Sequence, residues 1–138
     1  MSAEAETHSS RVGVSPYDTP LSSGLRFLVE VIAWVAGPWA AIVLTDRWWA
    51  ALPTLVVLMG VPAVFSTPGD KRNVIVPTPG PIRLVIELGL AAAAVAGAWI
   101  AWPAWAGVAA TVVVIASLVA GIPRARWLVA GAPPVSSS

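Results

Sequence analysis

The chain has 138 residues, of which 57% are hydrophobic and 11% charged, with a mean hydropathy of +0.80. A soluble domain carries about a quarter of its residues as Asp, Glu, Lys and Arg, so this composition reads as a membrane protein. A net charge of +1 lacks the concentrated basic face that nucleic acid requires, and the absence of cysteine excludes disulfides, thiolate metal sites and thiol nucleophiles.

Residues 1–24, "MSAEAETHSSRVGVSPYDTPLSSG", are polar, mixed in charge and broken by Pro16, Pro20 and Gly24. They bury too little apolar surface to offset their ordering entropy, and a disordered cytoplasmic tail is expected. A secretory signal starts basic and runs at once into a short apolar stretch; here the apolar run begins at residue 25 and is too long, so export is not expected.

Four apolar runs follow, and a spanning helix needs about 20 residues at 1.5 Å each. The first covers residues 25–44 and ends at the polar turn Thr45-Asp46-Arg47. The second covers 48–65, with Pro53 early and Gly60 and Pro62 late, where a kink or fray is expected. The loop 66–81, "STPGDKRNVIVPTPGP", has four prolines and two glycines and cannot continue a helix. The third run is 82–101 and the fourth 104–122, with Pro103 at a helix start and Pro123 as a stop, leaving 123–138 as a cytoplasmic tail. Short turns make runs one and two, and three and four, antiparallel neighbours. The expected fold class is all-α: a polytopic membrane protein of four transmembrane helices in two hairpins.

An offset of 57 residues aligns the hairpins without a gap, placing Arg26 on Arg83, Glu30 on Glu87, Trp48 on Trp105 and Thr54 on Thr111. Units of two spans enter the membrane from the same side, so this is a parallel repeat. Arg11, Arg26, Lys71, Arg72, Arg83, Arg124 and Arg126 fall on the side carrying both termini and the central loop, and Arg47 alone falls opposite. The positive-inside rule makes that side cytoplasmic, in the cytoplasmic (inner) membrane. Trp48, Trp49, Trp102 and Trp105 cluster at the outer turns as interface anchors, where an amphipathic ring prefers the headgroup level.

"LRFLVE" from residue 25 and "IRLVIEL" from residue 82 each put an arginine and a glutamate four residues apart inside an apolar run. Arg26 can snorkel to headgroups, but Glu30, one turn deeper, has a shorter reach. An Arg before a Glu near a helix start opposes the macrodipole, so helix stabilisation is a weak reason for the motif. At helical spacing the stripes continue through Ala33, Gly37 and Ala41, and through Leu90, Ala94 and Ala98. Small residues at that spacing let membrane helices approach, so the charged stripes are expected to face protein, with crossed pairs Arg26–Glu87 and Arg83–Glu30 available.

Over roughly residues 24–123 these motifs, with Phe65 and Pro68 at the end of the second run, resemble the YrdB-like small membrane proteins, a four-helix family of uncharacterised function. Pro62 and Ala63 stand where that family carries a Trp-Gly pair, the mark of a distant member. The resemblance implies four spans and a role for the Arg/Glu motif, and no activity.

Three functional readings follow. The first is a structural, accessory or assembly protein in which Arg26, Glu30, Arg83 and Glu87 lock the first and third helices, within one chain, in a homo-oligomer or against another membrane protein. The second is a small proton-coupled transporter using Glu30 and Glu87, against which an adjacent arginine keeps a carboxylate ionised. The third, an enzyme, is not expected: His8 lies in the tail, Asp18, Asp46 and Asp70 lie in separate polar segments, and Ser66-Thr67 beside Gly69-Asp70-Lys71 lacks phosphate-loop spacing. No cofactor or metal is expected, the lipid bilayer is the expected partner beside a homo-oligomer or another membrane protein, and Lys71-Arg72 reads as a solvated linker.

Overall fold

The computed structural model describes residues 17–68 and 75–133. The expectations for His8, Arg11, the start of the N-terminal tail, the Gly69–Arg72 turn and the last residues of the chain lie outside those described. Among the described residues the chain forms α1 (Pro20–Thr45), a 3-10 turn (Trp48–Ala50) leading into α2 (Ala51–Val64), β1 (Phe65–Ser66), β2 (Val76–Pro77), α3 (Gly80–Ala101), α4 (Ala104–Ala120) and α5 (Ile122–Val129).

α1 begins at Pro20 rather than at residue 25, because the polar residues before the apolar run cap it. Ser22 N–H donates to Thr19 Oγ1 at 3.1 Å and Thr19 N–H to Ser22 Oγ at 2.9 Å, a reciprocal capping box with Pro20 in the first turn. The helix ends where Asp46 turns left-handed at φ 56° and donates its N–H to Ile42 O. α3 likewise starts two residues before the apolar run, at Gly80-Pro81.

α1 and α3 form the central pair. Ala33, Ala36, Ala94 and Ala98 are 0% exposed, and a Cβ added at Gly97 would lie 2.8 Å from the carbonyl carbon of Ala36. Such an approach is possible only between small residues. Val29, Ala33, Leu90, Ala91, Ala94 and Val114 make one core cluster; Ala36, Ala98 and Ala110 make another. The small-residue stripe thus faces protein, with one shift: Gly37 turns toward α2, where its missing Cβ leaves room for Leu58. α2 is peripheral, packing mainly on α1, while α4 contacts both central helices.

Two prolines lie inside helices, and at one of them a side chain takes over a freed carbonyl. Pro62, inside α2, has no N–H for the carbonyl of Leu58, and the Trp34 indole N–H reaches that carbonyl instead at 3.4 Å. Pro38 is buried inside α1. α2 then gives way to β1, which pairs in parallel with β2 (Phe65 with Val76, Ser66 with Pro77), so the described ends of the central loop are bound together rather than free.

The stop expected at Pro123 ends α4 but starts another helix. The chain bends by 58° at Gly121, and α5 returns across the end of the bundle, burying Arg124, Trp127 and Leu128. The carbonyl of Leu128 lies against Gly80 where any Cβ would stand. Residues 122–129 are therefore a packed helix, not part of an extended tail, because Trp127 and Leu128 supply an apolar face that the span length alone did not reveal.

The described fold is mostly helical and its helix surfaces are strongly apolar, with Trp39, Leu44, Val57, Val85 and Val112 among many exposed large side chains. Such surfaces belong to a membrane protein. α1 and α3 are long and apolar enough to cross a bilayer; α4 and α5 qualify only if the bent pair is one span, and Trp48–Val64 is shorter.

Candidate functional site

The chain direction brings the starts of α1 and α3 and the ends of α2 and α4 to one end of the bundle, and the buried charge gathers there. Arg83 is 1% exposed. Its Nη1 donates to the carbonyls of Pro62 at 2.7 Å and Phe65 at 2.8 Å, and its Nε to Glu87 Oε1 at 3.3 Å. The last carbonyls of a helix have no partner within it, and the abrupt exit of α2 into β1 leaves Pro62 and Phe65 in that state. A guanidinium there satisfies both and neutralises the negative end of the helix dipole. Arg83 is first a cap for α2 and second a partner for Glu87.

Glu87 has a stronger partner in α5. Arg124 Nη1 donates to Glu87 Oε2 at 2.7 Å and Nη2 to Oε1 at 2.9 Å, the two-pronged geometry that a planar guanidinium and a carboxylate share. The same arginine places Nε 4.0 Å from Asp18 Oδ1. Asp18 in turn accepts both Arg26 Nη1 at 2.9 Å and Nη2 at 3.0 Å. Thus Asp18, before α1, and Glu87, on α3, are joined through Arg124 on α5.

The crossed pairs Arg26–Glu87 and Arg83–Glu30 are not among these contacts, since Arg26 is taken by Asp18 and Arg83 by Glu87 and α2. Glu30 is half-buried and lines, with Arg26, Glu87, Ser117 and Arg124, a cavity of about 70 Å³ between α1, α3 and α4. All four motif residues therefore stand at one end of the bundle, with Arg83 bonded to Glu87 but not lining the cavity. Sequence reasoning missed Asp18, set aside as a residue of the polar tail, and Arg124, read only as a basic residue beside the membrane. The available signal was the Gly121-Ile122-Pro123 break, which can return a chain as well as end a helix.

At the opposite end, Trp48 is 81% and Trp105 75% exposed, and Trp49 is exposed with the Arg47 guanidinium 6.0 Å from its ring centroid. Trp102 differs, packing partly against Ala36, Ala98 and Ala110. Among the described residues no three His, Cys, Asp or Glu are grouped to hold a metal. Comparison with known proteins gives no match: no family model, curated protein or solved structure matches the chain.

Proposed function

We propose that this is a small integral membrane protein of structural or accessory type, in which an ion network at the cytoplasmic end fixes α1, α3 and α5 relative to one another. The observation that carries this reading is the two-pronged grip of Arg124 on Glu87 together with its approach to Asp18. Three carboxylates (Asp18, Glu30, Glu87) stand with three guanidinium groups (Arg26, Arg83, Arg124) at that end, a neutral set that reduces the cost of charge near hydrocarbon. Beyond it, the backbone approach of Gly97 to Ala36 leaves no path between α1 and α3, which weighs against a transport route through their interface.

In this reading the chain crosses the bilayer four times, as two hairpins of a parallel repeat, with both termini cytoplasmic. Trp48–Val64, at 1.5 Å per residue, spans about 25 Å, short of a typical 30 Å core and completed by local thinning or by the paired β1 segment. Kinship with the YrdB-like proteins belongs to the same proposal and rests on the quoted motifs. The partner in this reading is another membrane protein or a second copy of the chain.

The test is a double-mutant cycle of unfolding in mixed micelles with Glu87→Gln, Arg124→Gln and the pair. Breaking a buried ion pair typically costs about 3–5 kcal/mol, so each single change should be costly and the pair together little worse than either alone. Strict additivity refutes the lock. Proton-driven flux into reconstituted vesicles, lost in Glu30→Gln with Glu87→Gln, would install the transporter reading in its place.

A further inference from the structure

The ion network does more than join helices, because Arg124 also stands over a cavity. Its walls mix Val29, Leu90 and Val114 with the carboxylates of Glu30 and Glu87 and the hydroxyl of Ser117. A cavity holds water when it offers more than about 10–15 Å³ and two to four polar partners, and this one, at about 70 Å³, has both the room and the partners. Val29, Leu90 and Ala91 wall it on the inward side of the bundle; Leu88 and Leu118, each 45% exposed, stand at its side, and Ser22, Arg26, Leu84, Gly121, Arg124 and Ala125 wall it toward the charged end. Water therefore reaches it from the charged end, where the starts of α1 and α3 and the packed α5 form its wall.

We infer that α5 is a lid over a hydrated chamber holding Glu30 and Glu87, closed by Arg124 on Glu87 and by Leu128 on Gly80. Eight residues are too few for a helix to be stable alone, so α5 keeps its place only through its contacts. They include the Arg124 bonds to Glu87 and its approach to Asp18, the fit of the Leu128 carbonyl on Gly80 and the Tyr17–Trp127 ring contact at 6.3 Å. The 58° bend at Gly121 is the hinge. The inference rests on the network described above but claims something different: that loss of Arg124 opens the chamber to the cytoplasmic aqueous phase while α1 and α3 stay packed.

The chain contains no cysteine, so Ser117→Cys places a single thiol on the chamber wall of the full-length protein. In lipid nanodiscs, its modification by a charged methanethiosulfonate reagent reports access by water. The expected rate is low in the single variant, at least tenfold higher with Arg124→Gln, intermediate with Arg124→Lys and unchanged with Arg126→Gln, an exposed arginine on the same helix. Gly80→Ala gives an independent opening, because it displaces the Leu128 carbonyl without altering charge, and should also raise the rate. Equal rates in Arg124→Gln, Gly80→Ala and the parent overturn the lid, as does equal acceleration by Arg126→Gln. Unfolding of the same proteins separates the two claims. Lower stability with unchanged labelling sinks the lid and leaves the lock; faster labelling with unchanged stability supports the lid and sinks the lock.

Discussion

Gly97→Ala tests the α1–α3 crossing on which the rest of the bundle depends. The new methyl carbon would lie 2.8 Å from Ala36 C, 2.9 Å from Ala36 O and 3.0 Å from Gly37 N. Carbon atoms settle at about 3.5–4.0 Å, so the helices must part by up to about 1 Å, and the obstacle is backbone that no rotamer change relieves. Overpacking of this kind costs about 1–3 kcal/mol, while Ala in place of Gly returns up to about 1 kcal/mol of helix propensity. Gly89→Ala, on the same helix, is the internal control, because a Cβ there meets nothing within 4 Å. Propensity cancels between the two variants, leaving Gly97→Ala less stable than Gly89→Ala by about 1–3 kcal/mol. Reversible unfolding in mixed micelles, followed by far-UV circular dichroism, measures the difference. Equal stability of the two variants would show that α1 and α3 do not meet at Gly97.

Arg83→Lys should destabilise more than Arg26→Lys, because one ammonium cannot serve the Pro62 and Phe65 carbonyls and Glu87 in the fixed fork of a guanidinium; lost charge-assisted bonds are worth about 1.5–3 kcal/mol each, and the same unfolding assay ranks the two. Arg26→Glu together with Asp18→Arg should recover part of the stability that either single reversal loses. Arg26→Glu with Glu87→Arg should not, since a guanidinium introduced on α3 in place of the Glu87 carboxylate would face Arg83 and Arg124; recovery in the second pair alone would overturn the assigned contacts. Thr19→Ala removes the side chain that caps α1 and should cost about 1 kcal/mol, with Ser22→Ala close behind; no loss in either would remove the start of α1 from Pro20. Lipids brominated near the headgroup should quench Trp48 and Trp105 strongly, and quenching that is stronger from bromine at the chain ends would contradict an interfacial position for that belt.

The central helices were legible because apolar length and small-residue spacing act locally: Ala33, Ala94 and Ala98 could be assigned to a protein-facing stripe from their spacing alone. The ends were less legible. Thr19 and Ser22 sit in a polar stretch that resembles a tail in composition, and only their spacing from Pro20 distinguishes a cap from a coil. α5 was harder still, since eight residues with two arginines carry too little periodicity to announce a helix, and its position is decided by Trp127 and Leu128 finding the face beside Gly80. Partner choice among charges was the least legible part. Four-residue spacing places Arg83 and Glu87 on one face but leaves in-helix and crossed pairing equally open, and nothing local shows that the better partner of Glu87 lies on α5, or that Arg26 will turn back to Asp18.

The two arginines that align at the 57-residue offset take different roles in the fold. Arg83 follows a helix that ends in bare carbonyls and meets them, so it is fully buried and fixed by the backbone of α2. Before Arg26 there is no preceding helix among the described residues, only the short polar segment that caps α1, and its guanidinium takes the nearest carboxylate, Asp18, while staying 28% exposed. What differs is the chain N-terminal to each motif. The charge left over in the second half is Glu87, and Arg124 arrives from the far end of the chain to meet it. A charge paired this far from its partner in sequence links α3 to α5, and through Asp18 to the start of α1, so the closure of the charged end depends on α5. That dependence makes Arg124 the residue whose removal should separate a fully packed bundle from one whose charged end is open.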